Sequence, residues 1–274
     1  MILDNFKSII SKYDIIFFDA FGVLKAYDGL IPGIENTFAY LRKTNKDFYI
    51  VTNDASRSPE LLAKSYVNLG IHDITPDRII SSGMLTKDYL DLKIKGGKVA
   101  YLGTEGSKYY IQGENIEAVS IHDLDLNNVS DINALVFLDD EGFDWNVDLT
   151  KTLNLLRKRN IPVIVANTDK SYPASKSQVS LAVGALAKMI EDVIGRQFIR
   201  FGKPDSQMFI FALEHIKGYP NINKKNILMV GDTLHTDILG GNKFGIDTVL
   251  VLTGNTQGED AETKIRSTGI IPTY

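Results

Sequence analysis

Short apolar runs that end on a polar residue recur along the chain. Ile15 to Phe18 stops at Asp19, with Gly22 close behind. Phe48 to Val51 stops at Thr52-Asn53-Asp54, and Asn226 to Val230 stops at Gly231-Asp232. Ile79-Ile80 and Thr248 to Leu252 are two more such runs. Runs this short, this apolar and this rich in β-branched and aromatic residues predict buried strands of a parallel sheet. Helical patterns separate them. Residues 1–12 place Leu3, Phe6, Ile9 and Ile10 on one face, and Ile34 to Lys43 predicts a second helix. Ser58 as N-cap and Pro59 at the first position open a third, which Gly70 stops. Lys203-Pro204-Asp205 opens a helix to Ile216, and Asp237 to Phe244 is another, stopped by Gly245. Strand and helix at this rhythm predict right-handed βαβ units.

A second block begins near Met84. Lys98 to Leu102, Ala118 to Ser120, Ala134 to Leu138 and Pro162 to Ala166 predict strands. Thr150 to Arg159 and Leu181 to Ile194 predict helices, the latter ended by Gly195. The block has its own alternation and enough apolar residues for its own core. The expected organisation is one α/β domain, residues 1–84 and 200–274, interrupted by a second, residues 85–199.

Composition adds bounds. The chain has 274 residues, 44% hydrophobic and 23% charged, which is ordinary for a globular protein with room for two domains. Its formal net charge of −4 gives no reason to expect nucleic acid or an anionic membrane as partner. It has no cysteine, which excludes disulfides and thiolate metal sites. Asp4 and Lys7 interrupt the apolar start, unlike a signal peptide, and no apolar window has the length of a membrane span. The expected location is the cytoplasm.

The strand ends carry candidate chemistry. All strands of a parallel sheet point their carboxyl ends to one edge, where ligands bind. Asp19, Thr52, Lys203 and Asp232 with Asp237 would gather there. Asp19 and Asp232 are hard oxygen ligands suited to Mg²⁺. Lys203 offers a cation and Thr52 a hydroxyl to a phosphoryl group, and Asp19 could attack phosphorus. A strand-end Asp that only forms a turn is the plainer alternative for Asp19 alone.

In their order, D-A-F-G-V, V-T-N, G-K-P-D and V-G-D-T-L-H-T-D resemble the four signatures of the haloacid-dehalogenase-like hydrolase superfamily. The resemblance spans almost the whole chain. Gly29-Leu30-Ile31-Pro32-Gly33 through Ser58, Asn167-Thr168-Asp169, Val183 to Leu186 and Val251 to Gly254 resemble its subgroup of sugar-phosphate, nitrophenylphosphate and pyridoxal-phosphate phosphatases with a large α/β cap. The resemblance implies a Rossmann-like parallel-sheet core, an inserted mobile cap over the site and a Mg²⁺-dependent phosphohydrolase acting on a small phosphorylated metabolite. It makes Asp19 nucleophile and metal ligand, Thr52 and Lys203 holders of the phosphoryl oxygens, and Asp232 a metal ligand supported by Asp237. The backbone carbonyl of Phe21 would be a further ligand. Asn53, Asn167, Thr168 and Asp169 are expected near the substrate.

The chain departs from that pattern at Phe21, where these phosphatases usually carry a second Asp as general acid. A phenyl ring transfers no proton, and such help is typically worth ~10²–10⁴-fold in rate. His235 and Asp54 are conceivable substitutes. Two other readings stay open: a phosphate-ligand binding or regulatory protein that lost turnover, and a metal-free haloacid dehalogenase.

Other features are read more plainly. Asp123, Asp125 and Asn127 lack the Gly and Glu of a calcium loop and predict a solvated turn. Asp139, Asp140, Glu141 and Asp144 predict an exposed acidic loop, with a second cation site as the alternative. Trp145 and Phe143 predict core packing, with stacking on a substrate as the alternative. Asn167-Thr168-Asp169 fits an Asx-type turn equally well. The helix Leu181 to Ile194 predicts close packing inside the cap, with a homodimer face through the cap as the alternative.

Overall fold

Two five-stranded parallel sheets, one from each block of the sequence, carry the chain. The computed structural model describes residues 6–175, 178–216 and 222–274. The elements run α1 (Phe6–Ile10), β1 (Ile15–Phe18), the small hairpin β2 (Lys25–Ala26) and β3 (Gly29–Leu30), α2 (Ile34–Thr44), β4 (Asp47–Thr52), α3 (Pro59–Asn68), β5 (Ile79–Ser81) and α4 (Ser82–Lys93). Then come β6 (Gly97–Leu102), β7 (Ile116–Ser120), β8 (Ile132–Phe137), α5 (Trp145–Lys158), β9 (Val163–Val165), β10 (Ser171–Ser175), β11 (Gln178–Leu181), α6 (Val183–Ile194) and β12 (Ile199–Arg200). The chain ends with α7 (Ser206–His215), β13 (Ile227–Gly231), α8 (Leu239–Phe244), β14 (Asp247–Leu250) and α9 (Gly258–Thr268).

The first sheet has the order β14-β13-β1-β4-β5. Ile15 pairs with Ile227 on one side and Asp47 on the other, so β1 is central. Successive β1 residues alternate between two cores. Ile16 and Phe18 pack with Phe38, Leu41, Leu62 and Tyr66 on one face, and Ile15 and Phe17 pack with Met208, Phe209 and Phe244 on the other. Both faces are covered, which is why the run shows no polar alternation. From β1 the chain steps outward to β4 and β5, and it later returns on the other side of β1 as β13. That reversal creates a crevice between the ends of β1 and β13.

The second sheet has the order β12-β9-β8-β6-β7 and is likewise buried on both faces. Residue 84 lies inside α4, whose Met84 and Leu85 pack against clusters of both sheets. The caps follow local chemistry. Ser58 Oγ accepts from the Leu61 N–H with Pro59 at the first position of α3, and Asp144 Oδ1 accepts from Val147 N–H at the start of α5.

Four details differ from expectation. Asp144 belongs to a helix cap, and α5 starts at Trp145 rather than Thr150. Gln178–Leu181 forms a hairpin with Ser171–Ser175, so α6 starts at Val183 rather than Leu181. The region expected as helix from Asp237 begins as a π-helical turn, Leu234–Ile238, before α8. The charged helix α9 has no fully buried side chain, packing on the core through the partly buried Ile265, and gave no apolar stripe to read. Leu3 lies outside the described residues. Among the described residues no helix is long and apolar enough to cross a membrane.

Candidate active site

Asp19 follows β1 directly, and its amide donates to Val230 O at 2.9 Å, so the residue is fixed at the crevice. Asp232 follows β13, and Asp237 lies in the π-helical turn beyond it. Carboxylate oxygens of Asp19, Asp232 and Asp237 all lie within 4.8 Å of one another. Lys203 Nζ sits 2.6 Å from Asp19 Oδ1 and 2.7 Å from Asp237 Oδ1, with only 1% of Lys203 exposed. Lys203 and Asp237, 34 positions apart, thus meet behind the nucleophile candidate.

Charge is unbalanced here. Three carboxylates face one ammonium. Burial, followed by the charge of Asp19, pushes Asp232 up to about 7. Burial lifts Asp237 well above the carboxylate range, although Lys203 opposes it. Burial also works against the Lys203 ammonium, yet Asp19, Asp237 and Asp169 outweigh it and hold the group above its ordinary value. These are hard oxygen donors with surplus negative charge, a set that fits a divalent ion.

Several contacts aim the carboxylates. Asp232 Oδ1 accepts from Thr233 Oγ1 at 3.0 Å and Oδ2 from the Asn255 N–H at 2.5 Å. Asp237 Oδ2 accepts from the Thr233 N–H at 3.0 Å. Gly22, at φ +84°, and Gly254 pass so close to the Asp232 carboxylate that a methyl group on either would collide with it. Thr52 is buried at the end of β4, and its Oγ1 accepts from the Asp54 N–H at 3.1 Å. That leaves the hydroxyl proton of Thr52 free to be donated.

The residues expected near the substrate are joined in one hydrogen-bonded network. Asn53 Nδ2 donates to Thr168 Oγ1 at 3.1 Å, Asp169 Oδ1 at 2.9 Å and Lys203 O at 3.1 Å. Its Oδ1 accepts from the Lys203 N–H at 2.7 Å, and Thr168 Oγ1 donates to Lys203 O at 2.6 Å. Asn167 Oδ1 accepts from the Asp169 N–H at 2.9 Å, the Asx-type turn. Burial, then the charges around it, raises Asp169 to about 6. A buried carboxamide must have its groups satisfied. Asn53, Thr168 and Asp169 therefore tie the two sheets together and set the backbone of Lys203, while Asn167 shapes the turn that carries them.

The second sheet overhangs the site through two loops. Tyr172 on β10 meets Phe21 edge-on, and its hydroxyl donates to Asp140 Oδ2 at 3.1 Å. Asp140 is 9% exposed and Asp139 partly buried, so the acidic loop after β8 is exposed, as expected, only at Glu141 and Asp144. Burial, then Asp140 and Asp54, pushes Asp139 up to about 7. Trp145 is exposed rather than in the core, donating from Nε1 to Asp140 O at 2.8 Å, while Phe143 packs on the second core. His235 is exposed. Sequence reasoning found no sign of Tyr172 or Asn255 beyond a position past a strand or in a Gly-Asn turn, and of Asp139 it found the acidic cluster but not the burial.

Comparison with known proteins agrees with this geometry. A family model described as haloacid dehalogenase-like hydrolase matches residues 16–117, and a HAD-hydrolase-like model matches residues 200–274. Chronophin of Bos taurus is 27% identical over 261 residues, covering 93% of this chain and 86% of its own. Phosphoglycolate phosphatase 2 of Arabidopsis thaliana is 30% identical over 270 residues, covering 92% and 87%. A crystal structure from Cytophaga hutchinsonii, described as a possible sugar phosphatase of the HAD superfamily, superimposes with a TM-score of 0.95 at 63% identity, covering 100% of this chain and 96% of that one. The chain belongs to the haloacid dehalogenase-like hydrolase superfamily and, within it, to the phosphatases.

Proposed function

We propose that the protein hydrolyses phosphomonoesters with Mg²⁺, through an aspartyl phosphate on Asp19, and that its substrate is a small sugar phosphate or related metabolite. The observation that carries this reading is the meeting of Asp19, Asp232 and Asp237 with buried Lys203. Names of relatives point the same way: an acid sugar phosphatase of Staphylococcus saprophyticus is 27% identical over 272 residues. Asp19, Asp232, Asp237 and the carbonyl of Phe21 would hold the ion. When bound, Mg²⁺ would neutralise charge on the phosphoryl group and on the carboxylates around it.

Each residue has a part. Asp19 attacks phosphorus with one carboxylate oxygen, and the bond to the leaving oxygen breaks. Lys203 and the Thr52 hydroxyl hold phosphoryl oxygens as their charge grows. Water then attacks the phosphorus of the aspartyl phosphate, which frees phosphate and restores Asp19. Asn53, Thr168 and Asp169 keep the Lys203 backbone in place. A second copy of this chain is the partner proposed for α6, where Met189 and Val193 are exposed; light scattering checks it.

The test is release of 4-nitrophenol from 4-nitrophenyl phosphate with Mg²⁺, lost on chelation and in Asp19→Asn. Mg²⁺-dependent binding of phosphate esters with no release would replace this reading by a phosphate-binding protein. Halide release from a 2-haloacid in chelator would replace it by a dehalogenase.

A further inference from the structure

Asp54 stands two residues past Thr52 on the loop after β4, half-buried between the sheets. Its Oδ1 is fixed by the Ser56 N–H at 2.8 Å and the Ser56 hydroxyl at 2.6 Å. Its Oδ2 has no hydrogen bond among the described residues. The loop is clamped from above: Thr104 Oγ1 donates to Ser56 O at 3.3 Å and Tyr110 OH to Arg57 O at 2.8 Å. Asp54 is thus an aimed carboxyl group with one free oxygen, on a loop held from both sides.

It also lies beside the ends of β1 and β4, which carry Asp19 and Thr52. With Ala20, next to Asp19, and with Thr52 and Lys25 it lines a small cavity. The buried Tyr66 hydroxyl on that cavity has no hydrogen-bond partner among the described residues. Burial lowers the Lys25 ammonium below its ordinary value, and Asp54 is the carboxylate that opposes this most. Across the gap Asp139 feels the charge of Asp54 in turn. Asp54 therefore lies where the phosphoryl-holding groups of the first sheet meet the overhanging loop of the second. The ring of Phe21, two residues after Asp19, has no proton to give.

We propose that Asp54 moves the proton in both halves of the reaction, the task for which Phe21 is unfit. In the first half the Asp19 oxygen–phosphorus bond forms, the ester phosphorus–oxygen bond breaks, and the leaving oxygen takes the proton of the Asp54 carboxyl group. An alcohol departs. In the second half water oxygen bonds to phosphorus, the bond to Asp19 breaks, and the proton of the water goes to the Asp54 carboxylate. The sum is ester plus water to alcohol plus phosphate. This rests on the phosphatase reading above.

The experiment compares wild type, Asp54→Asn and Asp139→Asn on substituted phenyl phosphates, from 4-nitrophenyl to 4-methoxyphenyl, which differ little in shape but widely in leaving-group basicity. Asp54→Asn keeps an oxygen to accept from Ser56. The expected result is a loss of about 100-fold or more in kcat for the 4-methoxyphenyl ester, set by the worth of acid catalysis, and under about 10-fold for the nitrophenyl ester. Adding Phe21→Asp to Asp54→Asn should restore the methoxyphenyl reaction. If Asp54→Asn does not fold, Asp54→Ser takes its place in both comparisons. Equal losses on both esters, no loss, or the same selective loss in Asp139→Asn instead would overturn the proposal. An inactive wild type would instead overturn the phosphatase reading on which it rests, whereas an active wild type with unaltered leaving-group dependence in Asp54→Asn would sink this inference alone.

Discussion

The ring of Phe21 meets the ring of Tyr172 edge-on, with centroids 6.2 Å apart and planes at 77°. One residue follows the central strand of the first sheet, and the other lies on a hairpin of the second. Such pairs are worth about 0.5–1.5 kcal/mol beyond the area they bury. Phe21→Ala should therefore loosen the overhang and raise KM for small phosphate esters several-fold, while the melting temperature falls little. An unchanged KM would mean that the aromatic contact does not hold the cap over the substrate.

Lys203→Met should abolish turnover and also destabilise. The ammonium is buried between Asp19 and Asp237, so its loss leaves two carboxylates without their cation. Breaking a buried pair from one side costs about 3–5 kcal/mol. Denaturant unfolding would read the loss. A variant as stable as wild type would mean that Asp237 is neutral in the native protein.

Asn53→Ala removes four hydrogen bonds at the junction of the sheets and leaves Thr168, Asp169 and the Lys203 backbone short of partners. Buried polar groups left unpaired cost about 1–3 kcal/mol each before relaxation, so a net loss of roughly 2–4 kcal/mol is expected. Activity should fall with it, because Lys203 loses its anchor. Thermal melts and kcat on one aryl phosphate check both halves.

Gly22→Ala should weaken the metal site specifically. At φ +84° the new methyl group meets the Asp232 carboxylate and the backbone of Gly254. The expected stability loss is more than about 1 kcal/mol, with a rise in the Mg²⁺ concentration needed for half-maximal rate. A Mg²⁺ dependence equal to wild type would show that Asp232 need not sit where Gly22 allows it.

Stability should depend on pH through Asp139. Its carboxyl is raised to about 7 in the folded protein, against roughly 3.9 when unfolded. Between these values the native state binds the extra proton, so stability falls as pH rises from about 4 to 7 and is flat above. Asp139→Asn removes that loss. The variant should match wild type near pH 4 and exceed it increasingly up to pH 7, as melts across the range would show. A difference that shrinks with rising pH would reverse the assignment.

The strands of both sheets were legible because a strand buried on two faces can only be an unbroken apolar run. Ile15–Phe18 and Ile227–Val230 announce themselves, and Ser58-Pro59 announces a helix start by capping chemistry that acts over three residues. Asp19, Thr52, Lys203 and Asp232 were legible for a related reason: each is the polar residue on which such a run or helix start turns. The hairpin of Tyr172 was not, since Pro173 and a polar sequence hide its alternation, and α9 was not, since it packs on the core only through the partly buried Ile265.

The sequence by itself determined the parallel sheets, the crevice and the kinds of group that face it, because those follow from periodicity and from strand polarity. Only the tertiary structure decided what each group does. Asn53 became a rivet because Lys203 and Asp169 close around it from 150 and 116 positions away. Asp139 became a partly buried carboxyl rather than a solvated one because the second sheet folds over the first. Burial and pairing across such separations are properties of the folded surface, and no local stretch of residues encodes them.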